Sequence, residues 1–358
     1  MTFAESRQRR ELARRRRRKR RVLAAALLAL VVLAALAGAA ALSKSDRHGA
    51  SHAAGRHARH AAAGVALVKP TPSATGLALG TPPIALAGIG QPQRDPVEIA
   101  FHHPPRAGLL FNLATGQVLW QRNPYLRMPI ASLTKMMTAL LTVEREPPDA
   151  RVLVTKTAAA AAGSKVGVLP VGRHVRLETL LYGLMLPSGN DAAIALAQHE
   201  AGSIRAFVAR MNARAAALGL GCTRYSSPSG YVDAGNFSCA ADLAVLAHVD
   251  LGQPRIASIA RTYSAKLPLA IKGGSVYLYN NNPLLIYRYP GATGLKTGFT
   301  DAAGRCLVAT ATRHGVELGA ILLDSADPGT QARQLLNRGF EGVYGQQPAH
   351  ELPLPPGA

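Results

Sequence analysis

Pro129-Ile130-Ala131-Ser132-Leu133-Thr134-Lys135-Met136-Met137-Thr138-Ala139 is the stretch on which the reading of this chain turns. Pro129 breaks regular structure just ahead of Ser132. From Met136 to Val143 apolar side chains follow one another all round the turn, the pattern of a buried helix. Ser132 is therefore expected in the first turn of that helix, with Lys135 three residues on and on the same face. Free N–H groups and partial positive charge gather at such a terminus. Lys135 stands among Leu133, Met136, Met137 and Leu140, so it is no solvated surface lysine. Burial disfavours its ammonium form and makes the neutral amine a base for the Ser132 hydroxyl. The Ser132 N–H is also placed to serve an oxyanion hole.

Two further short motifs follow in order. Ser188-Gly189-Asn190 comes after Met185-Leu186-Pro187 and before a helical stretch, where Ser or Asn commonly serves as a helix cap. Read with Ser132 and Lys135, the motif lines one wall of a cleft. Ser188 would pass a proton between Lys135 and a leaving amine, and the Asn190 side chain would hydrogen-bond a peptide substrate. Lys296-Thr297-Gly298 lies in a strand-like segment with Gly291, Gly294 and Gly304 nearby, and glycine in a strand marks close approach by another backbone or a ligand. Lys296 and Thr297 would hold a carboxylate, a substrate strand would pair alongside, and the Phe299 N–H would complete the oxyanion hole. Lys156-Thr157-Ala158 lacks the glycine and is set aside. A serine, a lysine base, a polar relay and a cationic anchor make up the equipment for acyl transfer through a serine ester.

Charge and hydropathy describe the rest. The 358 residues carry a net charge of +21, of which +9 falls in residues 1–21. The remainder is dispersed, and no basic stretch in the body is interleaved with aromatics, so nucleic-acid binding is not expected. Val22 to Leu42 is free of charge for 21 residues. At about 1.5 Å per residue a helix of that length matches a ~30 Å hydrocarbon core. The basic flank puts the N-terminus in the cytoplasm and the remainder outside. A retained single-pass anchor is the first reading; a signal peptide cleaved near Ala39-Ala40-Ala41 is the other, leaving a secreted protein. Residues 43–98 form a low-complexity linker, and His48, His52, His57 and His60 within it are read as linker rather than metal ligands. Cys222 and Cys239 could pair, or could be free thiols like Cys306. No metal-ligand spacing is present, and neither metal nor cofactor is expected.

The remaining organisation is a domain over 99–345 and a Pro-rich tail over 346–358. Ala107 to Leu113 and Gln117 to Gln121, separated by Ala114-Thr115-Gly116, read as a hairpin. Helices are expected over Leu177 to Leu184, Asp191 to Glu200, Ser203 to Leu218 and Ala240 to Val249. After Arg261 the pattern turns strand-like, with His314-Gly315 as a tight turn, and Thr330 to Phe340 closes as a helix.

From about Ala107 to Phe340 the chain resembles the serine-type D-alanyl-D-alanine carboxypeptidases, the low-molecular-mass penicillin-binding proteins. The likeness is carried by the stretch quoted first, by Leu186-Pro-Ser-Gly-Asn-Asp-Ala-Ala, by Ser227-Pro-Ser-Gly and by Gly294-Leu-Lys-Thr-Gly-Phe-Thr. It implies an α+β, β-lactamase/transpeptidase-like fold: an antiparallel sheet flanked by helices, with a helical lobe beside it. It implies a peptidoglycan stem pentapeptide as substrate, with Ser132 attacking the D-Ala-D-Ala bond and Lys296 binding the terminal carboxylate. β-Lactams would acylate the same serine. Relatives often add a β-rich domain and a C-terminal amphipathic anchor, and neither is expected in the 18 residues after Phe340. A D,D-endopeptidase, a β-lactamase and a non-catalytic wall-binding module are the competing readings.

Overall fold

The computed structural model describes residues 74–348. The chain runs through strands β1 (Ala107–Asn112), β2 (Val118–Arg122) and β3 (Met128–Pro129), a 3-10 turn at Ala131–Thr134, and helix α1 (Lys135–Arg145). Next come β4 (Arg151–Leu153), α2 (Lys156–Ala159), β5 (His174–Arg176), α3 (Leu177–Met185), α4 (Asn190–Ala201) and α5 (Ile204–Ala217). The second half holds β6 (Phe237–Ser238), α6 (Ala240–Leu251), α7 (Pro254–Ala260), β7 (Ser264–Pro268), β8 (Ser275–Tyr279) and α8 (Pro283–Ile286). It ends with β9 (Ala292–Thr300), β10 (Gly304–Arg313), β11 (Val316–Leu323) and α9 (Pro328–Asn337).

Five strands form one sheet in the order β2-β1-β11-β10-β9, and every pairing in it is antiparallel. Period-two alternation sorts its side chains between two cores. Leu109, Phe111, Val308, Ile321 and Leu323 point into the core shared with the helical lobe. Leu110, Leu119, Leu307, Ala309 and Leu322 pack on the other face with Leu335, Leu336 and Phe340. The two local turns take the forms their residues favour. Asn112 Oδ1 accepts from the N–H groups of Ala114 and Thr115, and Gly116 closes the β1–β2 turn at φ 74°. His314 and Gly315 both have positive φ, as a type I′ turn requires.

Helix α1 is buried from Lys135 through Thr142, as the charge-free run from Met136 to Val143 implies. It packs against α3, α4 and α6, and α6 in turn packs on β1 and β11 of the sheet. Three β-pairs sit outside the main sheet: β3 with β6, β4 with β5 and β7 with β8.

One boundary needs correction. Residues 74–98, assigned to the linker, pack on the domain. The Gly80 N–H donates to Ala216 O and the Val97 N–H to Leu119 O, Ala87 bridges Gln117, and Ile84 and Val97 are buried. The segment lies irregularly over other elements, so its few apolar residues follow no period. The 1–21, 22–42 and most of the 43–98 assignments, with the end of the tail, lie outside the described residues. Among the described residues no helix is long and apolar enough to cross a membrane.

Candidate active site

The 3-10 turn that carries Ser132 is clamped between two glycines. Ala131 sits at φ 47°, an uncommon conformation for a residue with a Cβ. A Cβ on Gly298 would come within 3.0 Å of Ile130 O and 3.1 Å of Ser132 N. A Cβ on Gly230 would fall 1.9 Å from Ala131 O. Residue 230, at φ 71° and 1.9 Å from backbone, must be glycine to keep the turn in place, and a side chain at 298 would push the turn outward by a few tenths of an ångström. The glycine of Lys296-Thr297-Gly298 thus brings the edge strand β9 against the backbone of Ser132.

Lys135 is fully buried at the start of α1. Its Nζ lies 2.8 Å from Ser132 Oγ, 2.7 Å from Asn190 Oδ1 and 2.7 Å from Ser229 O. The last two are carbonyl oxygens and can only accept. A neutral amine has two N–H groups for them and one lone pair, which is left facing the Ser132 hydroxyl. Burial pushes the lysine well below its usual range; the nearby Lys296 adds to the depression, and Asp191 opposes it.

Asn190 opens α4, and its surroundings fix its orientation. The backbone N–H donates to Ser164 O, and Nδ2 donates to Ala162 O at 2.6 Å. The buried Asp191 carboxylate accepts from the N–H groups of Val166, Gly167 and Ala192. The loop 162–167 is thereby fastened to the motif. The sequence reading reserved the Asn190 side chain for substrate; the structure uses its oxygen to orient Lys135. Ser188 is buried at φ 64°, and among the described residues its Oγ has no hydrogen-bond partner, so no bond joins it to Lys135.

Lys296 is also buried, on β9, and its Nζ donates to one protein acceptor, Thr297 O at 3.0 Å. Desolvation lowers it to about 7. Phe299, next to Gly298, projects its ring into solvent.

The wall formed by Ser227-Pro228-Ser229-Gly230 is functional in a way the sequence did not disclose. Ser229 O faces Lys135, Pro228 O accepts from Thr138 Oγ1, and Asn236 Nδ2 donates to Thr134 Oγ1. Cys222 and Cys239 form a disulfide that closes this loop, while Cys306 is a buried free thiol. Among the described residues, Cys222, Cys239 and Asp242 are the group whose ligand atoms lie close enough to share a metal ion. The disulfide leaves no thiolate there to ligate one.

Comparison with known proteins bears directly on this geometry. Residues 97–327, a span holding all three motifs, match the family described as D-alanyl-D-alanine carboxypeptidase, peptidase family S11. The chain belongs to that family. It is 31% identical over 255 residues to the D-alanyl-D-alanine carboxypeptidase DacF of Bacillus subtilis, with 70% of this chain and 64% of that protein covered. It thus spans just under two thirds of that relative's length. It is 33% identical over 237 residues to a D-alanyl-D-alanine endopeptidase of Pseudomonas aeruginosa, covering 62% of this chain and 76% of the relative. The crystal structure of the Streptomyces K15 DD-transpeptidase superposes with a TM-score of 0.63 at 32% identity, covering 68% of this chain and 99% of that one. The β-lactamase/transpeptidase-like α+β fold expected from the motifs is the fold observed.

Proposed function

We propose that this protein is a serine D,D-carboxypeptidase that removes the terminal D-Ala from peptidoglycan stem pentapeptides through an acyl-enzyme on Ser132. The observation that carries the reading is the contact between Ser132 Oγ and a buried Lys135 whose other two partners are carbonyl oxygens. In the forward step the Ser132 proton moves to Lys135 Nζ, and Oγ attacks the carbonyl carbon of the penultimate D-Ala. The N–H groups of Ser132 and Phe299 take the oxyanion. Collapse breaks the C–N bond, and the proton on Lys135 passes through the Ser188 hydroxyl to the departing amine. Water, deprotonated by Lys135, then attacks the ester and frees Ser132.

Lys296 binds the terminal carboxylate, assisted by the Thr297 hydroxyl, and Gly298 lets the peptide lie along the free edge of β9. A β-lactam, itself an acyl donor with a carboxylate, would acylate Ser132 in the same way. Incubation with a fluorescent penicillin followed by intact mass and peptide mapping tests the assignment. One adduct on Ser132, absent from Ser132→Ala, supports it; labelling that survives Ser132→Ala removes it.

The endopeptidase reading is kept because the P. aeruginosa relative carries that name. Muropeptide digestion separates the two: free D-Ala from monomeric pentapeptide supports the carboxypeptidase, and conversion of dimers to monomers supports the endopeptidase. The location goes with the substrate. We place the domain outside the cytoplasmic membrane, tethered by Val22 to Leu42 unless that segment is cleaved. Protease treatment of intact cells, with fractionation of the product, checks both.

A further inference from the structure

Aromatic residues make up only 5% of this chain, and ten of them are tyrosines. Three of those ten stand together on the β7–β8 hairpin with their rings in solvent: Tyr263, Tyr277 and Tyr279 are 49%, 60% and 58% exposed. The hairpin is amphipathic. Val276 and Leu278 are buried in the core, with Leu267 packed against it. Ser264, Lys266 and Pro268 face outward opposite Tyr279, Tyr277 and Ser275. The Tyr263 and Tyr279 rings meet edge to face at 6.4 Å, and Lys266 Nζ lies 5.4 Å from the centre of the Tyr277 ring. From Tyr263 to Asn280 the segment carries Lys266 and Lys272 and no acidic residue.

The segments flanking the hairpin are tied to the elements that carry the candidate site. The Asn280 N–H donates to Tyr263 O, and its side chain donates to Ala260 O and Thr262 O. The Asn281 N–H donates to Leu186 O, two residues before Ser188. A Cβ on Gly294, two residues before Lys296, would lie 2.8 Å from the Cβ of Ala260. A face of tyrosines set beside a cleft in this way marks a binding surface.

We propose that the outer face of the β7–β8 hairpin is a saccharide platform that holds the amino-sugar strand from which the stem peptide hangs. This deepens the reading of the site given above and rests on it. A pyranose ring offers C–H groups on its faces and polar groups at its rim, which matches a row of tyrosine faces edged by hydroxyls. The two lysines suit a polymer whose peptide branches bear carboxylates. Tyrosine also occurs at membrane interfaces, so anionic phospholipid vesicles enter the test as the competing outcome.

The full-length protein and its Tyr277→Ala/Tyr279→Ala double variant provide the test. Both positions are exposed, and penicillin labelling of the variant reports that its site is intact. Wild type is expected to sediment with glycan strands stripped of their peptides, and the variant to lose that binding roughly tenfold. D-Ala release from intact sacculi should fall by a similar factor, while release from soluble pentapeptide stays unchanged. Equal sedimentation of the two proteins, an equal loss on soluble pentapeptide, or a loss confined to anionic phospholipid vesicles would each overturn the platform. Should wild type fail to cleave soluble pentapeptide, the carboxypeptidase reading fails by itself, and sedimentation with stripped glycan still decides the platform.

Discussion

Lys135 and Lys296 are both buried, and both are depressed by desolvation, yet the fold surrounds them differently. Lys135 has a hydroxyl and two carbonyl oxygens in contact, a set that a neutral amine satisfies completely. Lys296 has one backbone carbonyl, which leaves N–H groups for a carboxylate. The two are also coupled, because the charge on Lys296 helps keep Lys135 neutral. On the proposed reading one lysine serves as base and the other as anion anchor, and the acceptors around each differ accordingly. Burial, not the acceptors, lowers both lysines, and the charge on Lys296 adds to the depression of Lys135.

The largest test of this contrast is the base. Lys135→Ala should slow acylation by penicillin roughly 10³–10⁴-fold, the upper range for general acid–base catalysis. Stopped-flow quenching with a fluorescent penicillin measures it. Lys135→Arg should not rescue the rate, since a guanidinium stays charged at any working pH. Rescue by arginine would mean that position 135 acts as a cation, and the contrast between the lysines would vanish.

Ser188→Ala tests the step that returns the proton. Its hydroxyl is buried and has no hydrogen-bond partner among the described residues. A leaving amine would supply the missing partner. Turnover of pentapeptide is expected to drop about 10²-fold, with thermal stability unchanged or slightly raised. A loss below about threefold would take Ser188 out of the proton path.

How far the sequence reaches is clearest from these same residues. Ser132, Lys135 and Lys296 could be read because side-chain chemistry at fixed spacing is visible in one dimension, and because a charge-free helix around a lysine has few explanations. The hairpin of β1 and β2 and the closing strands were legible from alternation and turn residues. Ser229 was not, since it acts through a carbonyl oxygen that any residue possesses. The contact of Asn190 with Lys135 was not legible either, because its spacing from Ser188 says that it lines the cleft but not which way its amide turns. Residues 74–98 were taken for linker, since a segment that packs without a period has no pattern to read.

Lys296→Ala should act chiefly on binding. Losing a charge-assisted contact of about 1.5–3 kcal/mol raises KM for pentapeptide by one to two orders of magnitude with a smaller change in kcat. The pH profile carries the sharper signal. In the native protein kcat/KM should rise with pH as Lys135 loses its proton and fall as Lys296 loses its own, near pH 7. Removing Lys296 should abolish the falling limb and move the rising limb to higher pH, because one source of the Lys135 depression has gone. A rising limb that stays in place would show that the two lysines do not sense each other.

The smallest effect on rate is expected from opening the disulfide, and it should fall on one lysine. Cys222 and Cys239 bracket the segment that supplies Ser229 O to Lys135, Pro228 O to Thr138 and Asn236 to Thr134. The same segment touches β9 at Thr300, through Asp233, four residues beyond Lys296. A cross-link of this span contributes about 3 kcal/mol in the chain-entropy account, so dithiothreitol or a Cys222→Ser/Cys239→Ser double variant should lower Tm measurably. A loosened loop admits water to Lys135, and its pKa climbs back toward the ordinary lysine value. That rise is expected to slow acylation roughly three- to tenfold on the acid side of the profile. The falling limb set by Lys296 should stay where it is. If reduction moves both limbs together, the loop supports the whole cleft, and the separate environments of the two lysines do not depend on separate walls.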